Sequence, residues 1–183
     1  MAEAGPPKAE TDWGTIWVFS GPEINFEGTI NPCEAARART DYNSTQQRFE
    51  TGLDVARQVT AIRVHKPVEE ITLADIEEHG PTIYWSGTAK HNDYFRDYIR
   101  PGGLVETAYH FPAEYITPEQ RVVMVSDLYH LPRLKRYAKK HEDKFPAERL
   151  VLYPAQPQRL PIKNTLGDLR NIYLYLKKGF IKE

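Results

Sequence analysis

Four short apolar runs constrain the fold of this chain more than any other feature of its sequence. They are rich in aromatic and β-branched residues, and their apolar residues are roughly continuous rather than alternating with polar ones. Strands that are covered on both faces have this pattern. We therefore predict four buried strands, at 15–20 (TIWVFS), 82–86 (TIYWS), 121–126 (RVVMVS) and 149–153 (RLVLY).

Amphipathic helical patterns separate or follow these runs. The helix after the first run begins with a capping-box pattern at Ser44 and Gln47. A later helix carries Pro132 in its first turn, and the last is capped by Thr165 and Asp168. The predicted inward-facing residues of these three helices are Phe49, Leu53, Ala56 and Val59; Leu131, Leu134 and Ala138; and Leu166, Leu169, Ile172, Tyr173 and Leu176.

Strands that alternate with helices at this spacing indicate βαβ crossovers and a mainly parallel sheet between helical layers. We therefore predict a three-layer, Rossmann-like α/β sandwich. The 183 residues, of which 40% are hydrophobic, fit a single domain. This domain is predicted to span 12–183, after a disordered tail over 1–11 that is rich in Ala, Glu, Pro and Lys.

Composition limits the partners that we expect. The formal net charge is −1, so no global field recruits nucleic acid or an anionic membrane. No apolar stretch approaches the ~18 residues of a membrane span, and the first residues lack the apolar segment of a secretory signal. The single cysteine, Cys33, excludes an intrachain disulfide framework. We expect a soluble, cytoplasmic protein with a small-molecule ligand; the oligomeric state is left open.

A parallel sheet binds ligands in the crevice outside the carboxyl ends of its strands. Three of the predicted strands end in serine followed by a small or acidic residue. Such residues are also common in turns, so one of these ends would be uninformative, but three in register favour a site at this edge. The residues concerned are Ser20 and Gly21; Ser86, Gly87 and Thr88; and Ser126 and Asp127.

The segment from Ser126 to Arg133 carries the clearest candidate chemistry. His130 follows a strand end, and Arg133 is three positions further along on the same helical face. The functional interpretation is a histidine for proton transfer beside an arginine that binds a carboxylate or phosphate bidentately. The alternative is that Asp127 caps the helix while His130 and Arg133 are solvated on its first turn. Spacing alone leaves both interpretations open.

These residues resemble the YdcF/SanA/ElyC family of bacterial α/β proteins, the group called domain of unknown function 218. The segment VSDLYHLPR at 125–133 closely matches the family motif Val-Thr-Ser-x-Tyr-His-x-x-Arg. An earlier strand ends in Ser86-Gly87, as a strand of the family does. Arg48 matches an arginine in the helix after the first strand. The C-terminal signature reappears as YLKKGFI at 175–181, so the resemblance extends from about residue 15 to the end.

The resemblance implies an enzyme that acts on a small polar, anionic metabolite by hydrolysis or group transfer. We expect Arg48, Lys90 and Arg133 to bind the anion, with Thr107 also in the site, and His130 to move protons with Asp127 or Glu106. The cofactor is left open, although the family suggests a nucleotide-like ligand such as S-adenosylmethionine. No His-x-His or His-x-x-x-His pair occurs, so we predict no metal. The alternative is a non-catalytic ligand-binding or regulatory module of the same fold, tied to cell-envelope metabolism.

Overall fold

The computed structural model describes residues 6–19, 44–86, 105–107, 119–140, 142, 146–155 and 162–179. The strands are β1 (Trp13–Phe19), β2 (Thr82–Ser86), β3 (Val105–Thr107), β4 (Arg121–Asp127) and β5 (Leu150–Ala155). The helices are α1 (Ser44–Val64), α2 (Leu73–His79), α3 (Leu131–Lys140) and α4 (Ile162–Lys177). Short 3-10 turns lie at Val68–Glu70 and Ala147–Arg149.

The strands form one five-stranded sheet in the order β3-β2-β1-β4-β5, and every neighbouring pair is parallel. β1 is central, with Phe19 opposite Ser86 of β2 on one side and Val18 opposite Val125 of β4 on the other. The predicted parallel sheet is therefore confirmed. Because the chain builds outward from β1 in one direction and then returns to its other side, the strand order reverses between β1 and β4.

Alternation of side chains along the central strands divides the core into two layers. Ile16 and Val18 of β1 pack in one buried cluster with apolar residues of α1 and with Ile76 of α2. Trp17 of β1 points to the opposite face, where it packs with Leu134 of α3. Helices thus cover both faces of the sheet, and the predicted three-layer sandwich is confirmed.

Strand boundaries differ from the prediction where the pattern is weak. β1 begins at Trp13, before the predicted first residue, and β5 spans Leu150–Ala155 rather than 149–153. Pro154 lacks an amide hydrogen, which β5 tolerates because it pairs with β4 alone at the edge of the sheet. β3 was not predicted, since three residues are too few to show a periodic pattern.

Residues 9–11, within the segment expected to be a disordered tail, make contacts with the domain. Ala9 packs against the core, and Glu10 forms an ion pair with Arg121 over 3.0 Å. The carbonyl of Thr11 accepts hydrogen bonds from Nε and a terminal nitrogen of Arg63, at 3.2 and 3.0 Å. These contacts join the segment before β1 to the domain.

The last helix differs from its predicted orientation. α4 begins at Ile162, so Asp168 lies within the helix rather than at its cap. Ile172 is buried as predicted, but Leu166, Leu169 and Tyr173 are exposed. The reason is that the inward face of α4 carries Asp168, which is buried in contact with α3. Among the described helices, none is long and apolar enough to cross a membrane.

Candidate functional site

The strand order reverses between β1 and β4, and open α/β sheets bind ligands outside the carboxyl ends of their strands at such a point. α1 is the helix that lies on one face of the sheet after β1, whereas α3 follows β4 and lies on the other face. Because these two helices cover opposite faces, the two strand ends lie where open α/β sheets typically form a ligand-binding crevice. Phe19 ends β1, and Ser126 and Asp127 end β4.

Arg48 of α1 joins the two strand ends. Its side chain is 2% exposed, and its terminal nitrogens donate to the carbonyl of Phe19 at 3.1 Å and to Oδ2 of Asp127 at 2.7 Å. A longer contact of 3.3 Å reaches the hydroxyl of Tyr129. Removing either partner of a charge-assisted pair that is this well buried strongly destabilises the fold. The Arg48–Asp127 pair therefore fixes α1 against β4 across the crevice.

His130 lies between a hydroxyl and a guanidinium. Nδ1 is 2.7 Å from Oγ of Ser126, and Nε2 is 2.6 Å from a terminal nitrogen of Arg133. An arginine can only donate, so Nε2 accepts and carries no hydrogen. This assigns the hydrogen of the neutral ring to Nδ1, which donates to Ser126.

The surroundings of His130 keep it neutral. Burial lowers the pKa of His130 well below its usual value of 6.5, and the positive charges of Arg133 and Arg48 lower it further. The Phe19 ring packs edge-on against the imidazole, with 6.1 Å between the ring centroids, and displaces water there. These surroundings oppose the expected titration of His130 near neutral pH.

The expected hydrogen bond between the side chains of His130 and Asp127 is not formed: Oδ2 of Asp127 is paired with Arg48, and it is the backbone amide of His130 that donates to the backbone carbonyl of Asp127, at 2.8 Å. Neighbouring residues of a strand point to opposite faces. Ser126 shares the face of Met124, which packs in the cluster of α3, and there it meets His130. Asp127 shares the other face with α1. The carboxylate expected to orient the histidine thus belongs to the opposite layer.

Arg133 is held on several sides, but its side chain is only partly buried. Besides His130, it contacts Oδ1 of Asp168 at 3.3 Å, and its central carbon lies 5.5 Å from the centroid of the Tyr175 ring. The side chain is 20% exposed. A guanidinium has five N–H donors. Within the described parts of the chain, the remaining N–H groups of Arg133 donate to no residue.

Asp168 of α4 is the residue that the sequence interpretation missed as part of this site. Its side chain is 6% exposed, and Oδ2 makes no hydrogen bond to any residue that the structure describes. Burial raises the pKa of Asp168, while Arg133 and Arg48 oppose that rise. No pattern links Asp168 to Arg133 in sequence, since their contact depends on how α3 and α4 pack.

The other predicted site residues are placed less completely. Ser86 ends β2. The backbones of Glu106 and Thr107 lie in the edge strand β3, and their side chains are not among the parts of the chain that the structure describes. Among the described residues, no group of three or more His, Cys, Asp or Glu side chains is arranged to hold a metal ion. The predictions for Ser20, Gly21, Gly87, Thr88 and Lys90 fall outside the described residues.

Comparison with known proteins identifies no relative. No protein-family model matches the chain, and no curated protein or solved structure is significantly similar to it.

Proposed function

We propose that this chain binds a small anionic metabolite in the crevice between β1 and β4, with Arg133 as the residue that contacts the anion. The observation that supports this most directly is the state of the Arg133 guanidinium. His130 and Asp168 hold it in place, yet the Arg133 side chain as a whole is 20% exposed, and the guanidinium has N–H groups with no partner among the described residues. Such a group binds carboxylates and phosphates in a bidentate manner.

The two arginines of the site have different roles in this proposal. Arg48 is 2% exposed and engaged by Asp127 and Phe19, so it shapes the crevice and adds positive potential. Arg133 provides the direct contact. His130 acts as a positioning residue, because its Nε2 accepts from Arg133 and burial lowers its pKa well below the usual value.

A second candidate function is hydrolysis or group transfer on the bound metabolite, as the resemblance to the YdcF-like family implies. Asp168 favours this catalytic function, because its carboxyl group lies beside Arg133, the proposed anion contact, and burial raises the pKa of Asp168. A carboxylate that is a stronger base than usual can accept a proton from a reacting group. Asp168 rather than His130 is then the general base.

The proposal is tested by titrating the protein with inorganic phosphate and with succinate in a calorimeter. Arg133→Ala removes the contact and should weaken binding by about 1.5–3 kcal/mol, or roughly ten- to a hundredfold. Lys135→Ala is the matched control, because it removes the same charge from an exposed position of α3. Equal affinity of the Arg133 and Lys135 variants, or no binding by the parent protein, would overturn the proposal.

Arg133→Lys separates the charge from the shape of the guanidinium. Lysine preserves the charge beside Asp168 but cannot donate to His130, Asp168 and a ligand in one plane. We expect an affinity between those of the parent protein and Arg133→Ala. A melting curve for each variant establishes that the folded state persists at the titration temperature.

A further inference from the structure

We propose that Asp168 makes the site selective for anions that carry a hydroxyl or ammonium group next to the anionic group. This inference depends on the proposed function, because it places the anion on Arg133. It names the ligand class more narrowly: a phosphate or carboxylate with a neighbouring hydrogen-bond donor.

The first argument is the incomplete hydrogen bonding of the Asp168 carboxyl. Oδ1 is 3.3 Å from a terminal nitrogen of Arg133, whereas Oδ2 is buried and has no hydrogen-bond partner among the described residues. Leaving a buried acceptor unsatisfied costs about 1–3 kcal/mol, and more when it is charged. Folded proteins contain few such groups, so each one calls for an explanation such as an absent ligand.

The second argument is position. Both oxygens belong to one carboxyl group, so Oδ2 lies next to the guanidinium on which we place the anion. The terminal torsion of an aspartate has a broad, two-fold profile, so a small rotation of the whole carboxyl group can bring Oδ2 toward a ligand at little cost. A hydrogen-bond donor of the ligand, close to its anionic group, then meets Oδ2 of Asp168, which is already buried away from water.

The third argument is the balance of charge at the site. Arg133 faces Asp168 on one side, and Tyr175 covers part of the guanidinium. A plain anion on Arg133 would also lie near the Asp168 carboxylate and be repelled by it. A hydroxyl or ammonium group between the two negative groups converts that repulsion into a hydrogen bond. The Arg133–Asp168 pair thus favours ligands with both kinds of group.

The experiment compares matched anions that differ in their hydroxyl groups. Propyl phosphate is paired with glycerol 3-phosphate, and propionate with lactate. The parent protein should bind the hydroxylated member of a pair about tenfold or more tightly, the fold-change expected of a hydrogen bond to a charged group. Asp168→Asn keeps an oxygen for Arg133 but replaces Oδ2 with an amide nitrogen, which donates. We expect it to lose the preference and to bind the plain anions at least as well as the parent.

Asp168→Ala is a second variant in case the asparagine disturbs packing, and Asp54→Asn is the control, since Asp54 is an exposed carboxylate on α1. If the parent protein binds both members of each pair equally, or if both Asp168 variants keep the preference, the inference is wrong. The proposed anion site then still stands, provided that the plain anions bind and need Arg133. If no anion binds, the proposed function and this inference fail together.

Discussion

Arg133 donates a hydrogen bond to Nε2 of His130 over 2.6 Å, which occupies the ring nitrogen that would otherwise take up a proton. The opposite nitrogen lies 2.7 Å from the hydroxyl of Ser126. A strand end, a turn and the first turn of a helix are thereby joined through one neutral imidazole. Protonation of His130 would place its charge against that of Arg133, so the arrangement depends on pH.

Acid should destabilise the fold through His130. The folded protein holds the pKa of His130 well below 6.5, whereas the unfolded chain has the usual value. Below about pH 6.5 the unfolded state therefore binds more protons, and the free energy of unfolding falls as pH decreases toward the folded pKa. Above pH 6.5 this contribution is complete and constant.

His130→Asn removes this titration, so urea unfolding between about pH 5 and pH 8 should show a shallower loss of stability in acid than the parent protein shows. His65→Gln is the control, because His65 is exposed. Identical slopes for His130→Asn and the parent protein would show that the pKa of His130 is not lowered in the folded state.

Anion binding should not depend on His130 as a titrating group. Sulfate is a suitable probe, since its charge is constant near neutral pH, and we expect its affinity to be flat between about pH 6.5 and pH 8. His130→Asn should weaken it by about 1 kcal/mol, less than Arg133→Ala does, because Arg133 loses an acceptor that orients it. A midpoint near neutral pH in the parent protein that His130→Asn abolishes would restore the proton-transfer role.

The Arg48–Asp127 pair should show strong coupling. Arg48→Met removes the arginine that pairs with the buried Asp127 carboxylate and should cost about 3–5 kcal/mol of unfolding free energy. Adding Asp127→Leu removes that charge, so the double variant should be less destabilised than the sum of the single changes. Additive single changes, measured by urea unfolding, would contradict this.

The exposed pair of Lys66 and Asp75, 2.8 Å apart, is the matched control for that cycle. Lys66→Met should change the unfolding free energy by less than about 1 kcal/mol, because solvent screens an exposed ion pair.

Two helical glycines should respond in opposite directions to alanine. A Cβ at Gly52 in α1 would lie 2.5 Å from Cγ2 of the buried Val18, whereas a Cβ at Gly167 in α4 would meet nothing within 4 Å. Gly167→Ala should therefore stabilise by about 1 kcal/mol through helix propensity. Gly52→Ala should destabilise, because the overpacking cost of about 1–3 kcal/mol outweighs the same gain. Equal melting temperatures of the two variants would show that α1 can move away from β1.

The sheet could be predicted from sequence because its central strands are buried on both faces. β4, with the run RVVMVS, is almost continuously apolar, and this pattern also places Ser126 and Asp127 at its carboxyl end. The same alternation could have shown that Ser126 and Asp127 face different layers. Because α1 covers one face of the sheet, this alternation would have placed the Asp127 side chain against Arg48 of α1 rather than against His130.

Asp168 and the orientation of α4 could not be predicted in this way. The apolar stripe of Leu166, Leu169 and Tyr173 suggested the inward face, yet these residues are exposed. The inward face instead places Asp168 against Arg133, an ion pair between two helices with no fixed spacing in sequence. Charge pairing across helices is decided by tertiary packing, which a single-helix pattern does not contain.

The central position of β1 has a consequence for how the crevice arises during folding. β1 pairs with β2 on one side and with β4 on the other. In the sequence, β2 and β3 both lie between β1 and β4. Arg48 and Asp127, which meet across that seam, are 79 positions apart. Closing so long a loop is entropically costly and slows folding. The proposed anion site therefore cannot form from β1, α1 and β2 alone, and it is completed when β4 docks.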